Sequence, residues 1–138
     1  MKKKNVLLTG GAGFIGSNIL KKLLDDPRID QVRVLDNLST GIRKNIEPYM
    51  NNSKLDFMWG DIREYITCKD ACADIDLVCH QAALGSVPRS IKQPLTTNNV
   101  NITGTLNVFT AAKESGIKRV VFAASSSTYG DSEELPKR

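Results

Sequence analysis

Short apolar runs rich in β-branched residues alternate along the chain with stretches whose apolar positions recur every three or four residues. Asn5 to Thr9, with Val6-Leu7-Leu8 at its centre, reads as a buried strand closed by glycines. Ile15, Ile19, Leu20, Leu23 and Leu24 follow at helical spacing, and Asp25-Asp26-Pro27 ends that helix. Gln31 to Leu35 predicts a second strand and Leu55 to Trp59 a third. Arg63 to Ala73 predicts a helix, and Leu77-Val78-Cys79 a fourth strand. A long helix is expected from Pro94 to Ser115, with Gly116 as its stop, and a fifth strand from Arg119 to Ala124. Strands alternating with helices imply βαβ units, a parallel sheet and right-handed crossovers.

At 138 residues the chain has room for one domain. Its composition, 41% hydrophobic and 25% charged, excludes disorder, collagen and coiled coil. The net charge of +4 comes largely from Lys2, Lys3 and Lys4. With no aromatic platform beside them, nucleic acid is not expected as a partner. A membrane partner is not expected either, since no apolar run approaches a secretion signal or a membrane span. The three cysteines, Cys68, Cys72 and Cys79, fit a reducing cytoplasm. They form no C-x-x-C pair, so no metal site is expected with His80.

Chemistry enters at the turn after the first strand. In Thr9-Gly10-Gly11-Ala12-Gly13-Phe14-Ile15-Gly16 the residues Gly10, Gly13 and Gly16 recur every third position. Such a turn is tight, lets the backbone approach a pyrophosphate, and packs the new helix on its strand. The helix start then offers N–H groups and a positive dipole end to phosphates. Asp36 ends the second strand twenty positions after Gly16, where an acid accepts hydrogen bonds from the adenosine ribose hydroxyls. Its carboxylate would repel a 2′-phosphate, so the expected cofactor is NAD and not NADP.

Further motifs carry a family resemblance over essentially the whole chain. The Gly10 turn, Asp36-Asn37-Leu38-Ser39, Gly60-Asp61-Ile62, His80-Gln81-Ala82-Ala83 and Ser125-Ser126-Ser127-Thr128-Tyr129-Gly130 resemble the extended short-chain dehydrogenase/reductases, and within them the nucleotide-sugar 4-epimerases. The run His80 to Ser90 and the triple serine are most similar to UDP-N-acetylglucosamine C4-epimerases. The resemblance implies an α/β fold, a Rossmann-type doubly wound parallel sheet of order 3-2-1-4-5. It is incomplete at about five strands, with residues 1–138 forming the N-terminal portion of the NAD-binding domain and the substrate lobe absent.

The resemblance also implies roles. Phe14 and Ile15 would join the pyrophosphate turn, and Asn37, Ser39 and Gly41 would follow the adenosine ribose and its phosphate side. Asp61 and Ile62 would border the adenine, the carboxylate accepting from its exocyclic amine. Gln81, Ala82 and Ala83 would line the nicotinamide half. Gly85, Ser86 and Arg89 would contact a UDP-sugar, supported by Ser126 and Ser127. Ser125 matches the catalytic serine that bonds the sugar's C4 oxygen, whereas Tyr129 matches a structural tyrosine.

In that chemistry a tyrosine takes the C4 hydroxyl proton, hydride passes from C4 to NAD, and the 4-keto sugar turns over before hydride returns. A lysine four residues after the tyrosine lowers its pKa from about 10. That pair is expected about twenty residues past Tyr129. Tyr65 and Lys69 share the spacing, but come before the fourth strand and read as chance on an exposed helix. The 138 residues alone are therefore expected to be inactive, and the ending Leu135-Pro136-Lys137-Arg138 reads as that of a truncated product. Dehydratases on this scaffold carry a Thr-Asp-Glu run that Ser125 to Thr128 lacks. Decarboxylases, reductases, other epimerases and a non-catalytic dinucleotide-binding module stay open. The resemblance further implies a homodimer when full length, through two long helices of which Pro94 to Ser115 is the first. The plainer reading is that Leu106, Val108, Phe109 and Ala112 face the sheet.

Overall fold

A computed structural model describes residues 3–130, with the side chains of Ser126 and Ser127 excepted. Lys2 and the ending 135–138 therefore lie outside the described residues. Five parallel strands, β1 (Lys4–Thr9), β2 (Ile29–Asp36), β3 (Leu55–Trp59), β4 (Leu77–His80) and β5 (Val120–Phe122), form one sheet in the order β3-β2-β1-β4-β5. The order is the expected one. It follows from right-handed crossovers that build outward to one side of β1 and then to the other.

Strand alternation sends successive side chains to opposite faces, and both faces are covered. Val6, Leu8, Val32 and Val34 pack with Leu20 and Leu24 of α1 (Phe14–Asp25) on one side. Leu7, Leu35 and Val78 pack on the other with Cys68 and Ala71 of α2 (Tyr65–Ala71) and with Val108, Ala111 and Ala112. Burial pushes the Cys68 thiol up to about 12 and the Cys72 thiol up to about 11, so both stay protonated as core residues.

The predicted long helix is interrupted. With α3 (Val87–Lys92), a short helix that the pattern did not announce and that Ser86 caps, placed before it, it runs through α4 (Pro94–Asn98), a π-helical turn (Asn99–Gly104) and α5 (Thr105–Glu114). Gly104 in the π turn lies hard against Ile62, whose Cδ1 would be 2.7 Å from any added Cβ. The stop is as expected. Gly116 has φ +73°, and Ile117 N–H and Gly116 N–H donate to the carbonyls of Ala112 and Lys113. The fifth strand is shorter than Arg119 to Ala124. It is an edge strand whose ladder is limited by the short β4 it pairs with, Val78 to His80 facing Val120 to Phe122.

Val108 and Ala112 face the core as the plainer reading had it, but Leu106 and Phe109 are exposed at 62% and 36%. Among the described residues no helix is long and apolar enough to cross a membrane.

Candidate functional site

The carboxyl ends of the strands are level. Trp59 pairs with Asp36, Leu35 with Thr9, Thr9 with His80, and His80 with Phe122. The loops leaving this rim enclose an open groove above β1, where the order of strands reverses, which is where ligands of open α/β sheets bind. Eleven of the fourteen residues expected at a cofactor line it: Gly10, Gly13, Asp36, Asn37, Ser39, Gly41, Asp61, Ile62, Gln81, Ala82 and Ala83. Phe14, Ile15 and Gly16 lie beside the groove in the first turn of α1. Thr40, Leu84 and Val100 also line it and were not anticipated.

Gly10 has φ +72° and sits so close to the loop after β4 that a Cβ would be 2.7 Å from the Ala82 nitrogen. A Cβ on Gly16 would stand 2.0 Å from the Gly10 carbonyl oxygen. These approaches bring the start of α1 down onto the turn. Its cap is Gly13, with no side chain bonded over the helix end, and Phe14 and Ile15 are exposed there. A helix N-terminus left open toward a groove suits the phosphates of a dinucleotide.

Asp36 locks this turn to the end of β2. Its buried carboxylate accepts from Ala12 N–H at 2.9 Å and from Leu38 N–H at 2.8 Å. The Ala12 carbonyl in turn accepts from Ile42 N–H and from the Asn45 side chain. Leu38 is held with φ +57°, an uncommon conformation for a branched side chain, by its bond to Asp36. So Asp36 carries a structural duty that the sequence did not show, beside the one expected toward a ribose. Among the described lining residues none is Lys or Arg, so a 2′-phosphate at Asp36 would find no cation in the groove wall.

Asp61 is also more engaged than expected. It accepts from Asn37 Nδ2 at 2.8 Å, from Arg63 N–H at 2.9 Å and from Arg63 Nη2 at 2.7 Å. The Arg63 guanidinium holds its carboxyl down at about 2, well below the usual carboxylate range. An oxygen of Asp61 offered to an adenine amine would be shared with this network.

His80 is the residue whose role sequence reasoning missed most plainly. It is 1% exposed, and burial pushes its pKa down to about 4. The Thr9 hydroxyl lies 2.6 Å from Nδ1 and already accepts from Gln81 N–H and Ala82 N–H. Its one proton therefore goes to Nδ1, which leaves Nε2–H to donate to Thr105 Oγ1 at 2.9 Å. A neutral imidazole thus ties the ends of β1 and β4 to the first turn of α5. The rings of Phe109 and Phe122 pack on it.

Of the residues expected at a sugar, Gly85, Ser86 and Arg89 are not among the described residues that line the groove. Gly85 is exposed with open space around it, Ser86 accepts the Arg89 N–H as the cap of α3, and Arg89 is half-buried. Ser125 follows β5, and its carbonyl accepts from Thr128 N–H as a short helical turn begins. Ser126 and Ser127 belong to that turn, and their side chains lie outside the described residues. The Tyr65–Lys69 spacing has no catalytic setting. Tyr65 Oη donates to the Glu114 carboxylate on the outer surface, which raises the tyrosine pKa where the chemistry would need it lowered.

The model of the NAD-dependent epimerase/dehydratase family matches residues 6–138. A putative UDP-glucose 4-epimerase of Methanocaldococcus jannaschii is 38% identical over 95% of this chain and 41% of its own length. Among solved structures, a UDP-N-acetylglucosamine 4-epimerase from Methanobrevibacter ruminantium M1, in complex with UDP-N-acetylmuramic acid, is 41% identical with a TM-score of 0.88. The likeness covers 100% of this chain and 43% of that one. A Thermus thermophilus UDP-glucose 4-epimerase in complex with NAD is 38% identical, with a TM-score of 0.77 over 88% of this chain and 37% of that one. The chain thus spans about two-fifths of the length of these relatives.

Proposed function

Because the chain belongs to the NAD-dependent epimerase/dehydratase family, in which NAD dependence is a shared trait, we propose that it is the cofactor-binding part of a nucleotide-sugar 4-epimerase. The whole protein would interconvert C4 epimers of UDP-hexoses or UDP-N-acetylhexoses through a 4-keto sugar. The observation that carries this reading is the groove, with its Gly10 turn, its acid at Asp36 and, among the described residues, a wall free of Lys and Arg. The whole-chain likeness to a UDP-N-acetylglucosamine 4-epimerase supports the substrate class.

NAD, when bound, supplies a reversible acceptor for the hydride at the sugar's C4. The Gly10–Gly16 turn and the start of α1 would hold its pyrophosphate. Asp36, Asn37, Ser39 and Gly41 would hold the adenosine ribose, with Asp61 and Ile62 at the adenine. Gln81, Ala82 and Ala83 would shield the nicotinamide side from water. Ser125 would donate to or accept from the sugar's C4 oxygen and so orient the proton being moved, with Ser126 and Ser127 in support. Gly85, Ser86 and Arg89 would meet the sugar nucleotide. The base that removes the C4 proton would come from a Tyr-x-x-x-Lys pair beyond Arg138, so these 138 residues alone would be inactive.

We also infer a homodimer for the whole protein, supported by Ile102, Leu106 and Phe109, which recur at helical spacing on the exposed face of the long helix.

The test is to incubate the whole protein with UDP-N-acetylglucosamine and with UDP-glucose, and to follow the anomeric protons by NMR. Growth of the C4 epimer's signals is expected. Loss of water to a 4-keto-6-deoxy sugar would overturn the reading in favour of the family's dehydratases, and binding of NAD with no turnover would favour a non-catalytic module.

A further inference from the structure

The groove is held from below by one helix, at two separate places. At its adenine end, Asn107 on α5 donates from Nδ2 to the carbonyls of Ile62 and Arg63, at 3.0 and 2.9 Å. Gly104 lies against the Ile62 side chain, and the Cys68 thiol donates to the same Ile62 carbonyl. At its nicotinamide end, Asn101 in the π turn grips the loop after β4 with both ends of its amide. Its Oδ1 accepts from Leu84 N–H at 2.8 Å, and its Nδ2 donates to the Leu84 carbonyl at 3.1 Å. Leu84 lines the groove, as does Val100 next to Asn101.

An asparagine amide that satisfies the N–H and the C=O of one residue fixes that residue's backbone as a neighbouring strand would, without a strand being there. The loop from Gln81 to Gly85 is tied to β1 only at its start, where Gln81 N–H and Ala82 N–H donate to Thr9, and Asn101 pairs Leu84 further along. Asn107 holds the loop from Gly60 to Glu64 by donation alone, its Nδ2 bridging the carbonyls of Ile62 and Arg63 where β3 has ended. The two asparagines are six residues apart, Asn101 within the π turn and Asn107 in α5 just after it, and π turns are frequent at functional sites.

Resting on the assignment of the groove's two ends given above, we propose that Asn107 and Asn101 are positioning residues that brace the adenine half and the nicotinamide half of the cofactor site independently. Neither touches the cofactor. Each sets the backbone that does, so loss of one loosens one half only.

The experiment titrates the 138-residue chain with AMP and with NAD by calorimetry, and compares Asn101→Ala and Asn107→Ala with the parent. Asn107→Ala is expected to weaken AMP and NAD alike, by about five-fold. Asn101→Ala is expected to weaken NAD by about the same factor and to leave AMP within two-fold. Asn107→Asp and Asn101→Asp keep the volume while removing the donor, and serve if an alanine variant does not fold. They should reproduce the pattern. Equal changes for both ligands in both variants, or lowered melting temperatures with unchanged affinities, would overturn the inference and leave the site standing. A parent chain that binds neither ligand at millimolar concentration would overturn the assignment of the groove, and the inference with it.

Discussion

The neutral His80 makes stability depend on pH in a window that can be worked from the structure. Its folded pKa is about 4 against 6.5 for a free imidazole. Between those values the unfolded chain binds a proton that the native chain refuses, so stability rises with pH there. A tenfold difference in proton affinity between the two states is worth about 1.4 kcal/mol, so the whole window amounts to about 3 kcal/mol, of which about 2 falls between pH 6.5 and 5. The cause is local. An imidazolium would turn Nδ1 into a donor facing the Thr9 hydroxyl, whose oxygen already accepts two N–H groups and whose proton already points at the ring. Asp61 and Asp26, both lowered to about 2, act in the same sense but in a lower window. Their contributions are present above the free carboxyl value and fade as pH falls from there toward 2, clear of the histidine window. Urea unfolding followed by circular dichroism from pH 5 to 8, at constant ionic strength, measures the effect. His80→Asn should be less stable at pH 7 and should lose the slope between pH 5 and 6.5. A variant whose profile runs parallel to the parent's would refute the reasoning, as would an NMR titration placing the folded His80 pKa above 6.

Three further outcomes follow from contacts in and around the groove. Gly16→Ala puts a methyl group 2.0 Å from the Gly10 carbonyl oxygen, so it should cost about 2 kcal/mol in denaturant unfolding and weaken NAD at least ten-fold in a calorimetric titration. Asp36→Asn keeps the shape but removes the charge, so the ratio of NADP to NAD affinity should rise by about ten-fold or more, read by the same titration. Tyr65→Phe should leave the turnover of the whole protein within two-fold of the parent, because the Tyr65 phenol is spent on Glu114 at the outer surface.

What could be read from sequence alone divides along a physical line. The strands, the Gly10 turn and Asp36 were legible because each rests on local periodicity or on a steric demand at fixed spacing, whereas the strand order was what the family resemblance implied. The ladder ends were less so, since β5 stops where its partner β4 does and not where its own apolar run stops. The π turn, the cap at Ser86 and the grips of Asn101 and Asn107 left no signal. Asparagines on a helix read alike whether they face solvent or a distant carbonyl, and Asn107 is forty-five positions from Ile62. His80 was seen only as one letter of a motif. That Thr9 and His80 each end a strand beside a groove loop was the available clue, and it becomes an argument only once their pairing in the sheet is known. Asp61 taught the converse lesson, for its ligand role is an expectation from the family resemblance, while Arg63 and Asn37, which share its oxygens, left no signal.

The central claim is that this chain binds NAD in the groove over β1, and a chemical-shift map of the labelled chain tests it most directly. Titration with NAD should move the amide signals of Gly10 to Ile15, Leu38 to Gly41, Asp61, Ile62 and Gln81 to Leu84, and leave those of Asp26 to Ile29 and Gly116 to Arg119, at the opposite ends of the strands, unmoved. Shifts confined to those opposite ends, or none at millimolar NAD, would contradict it.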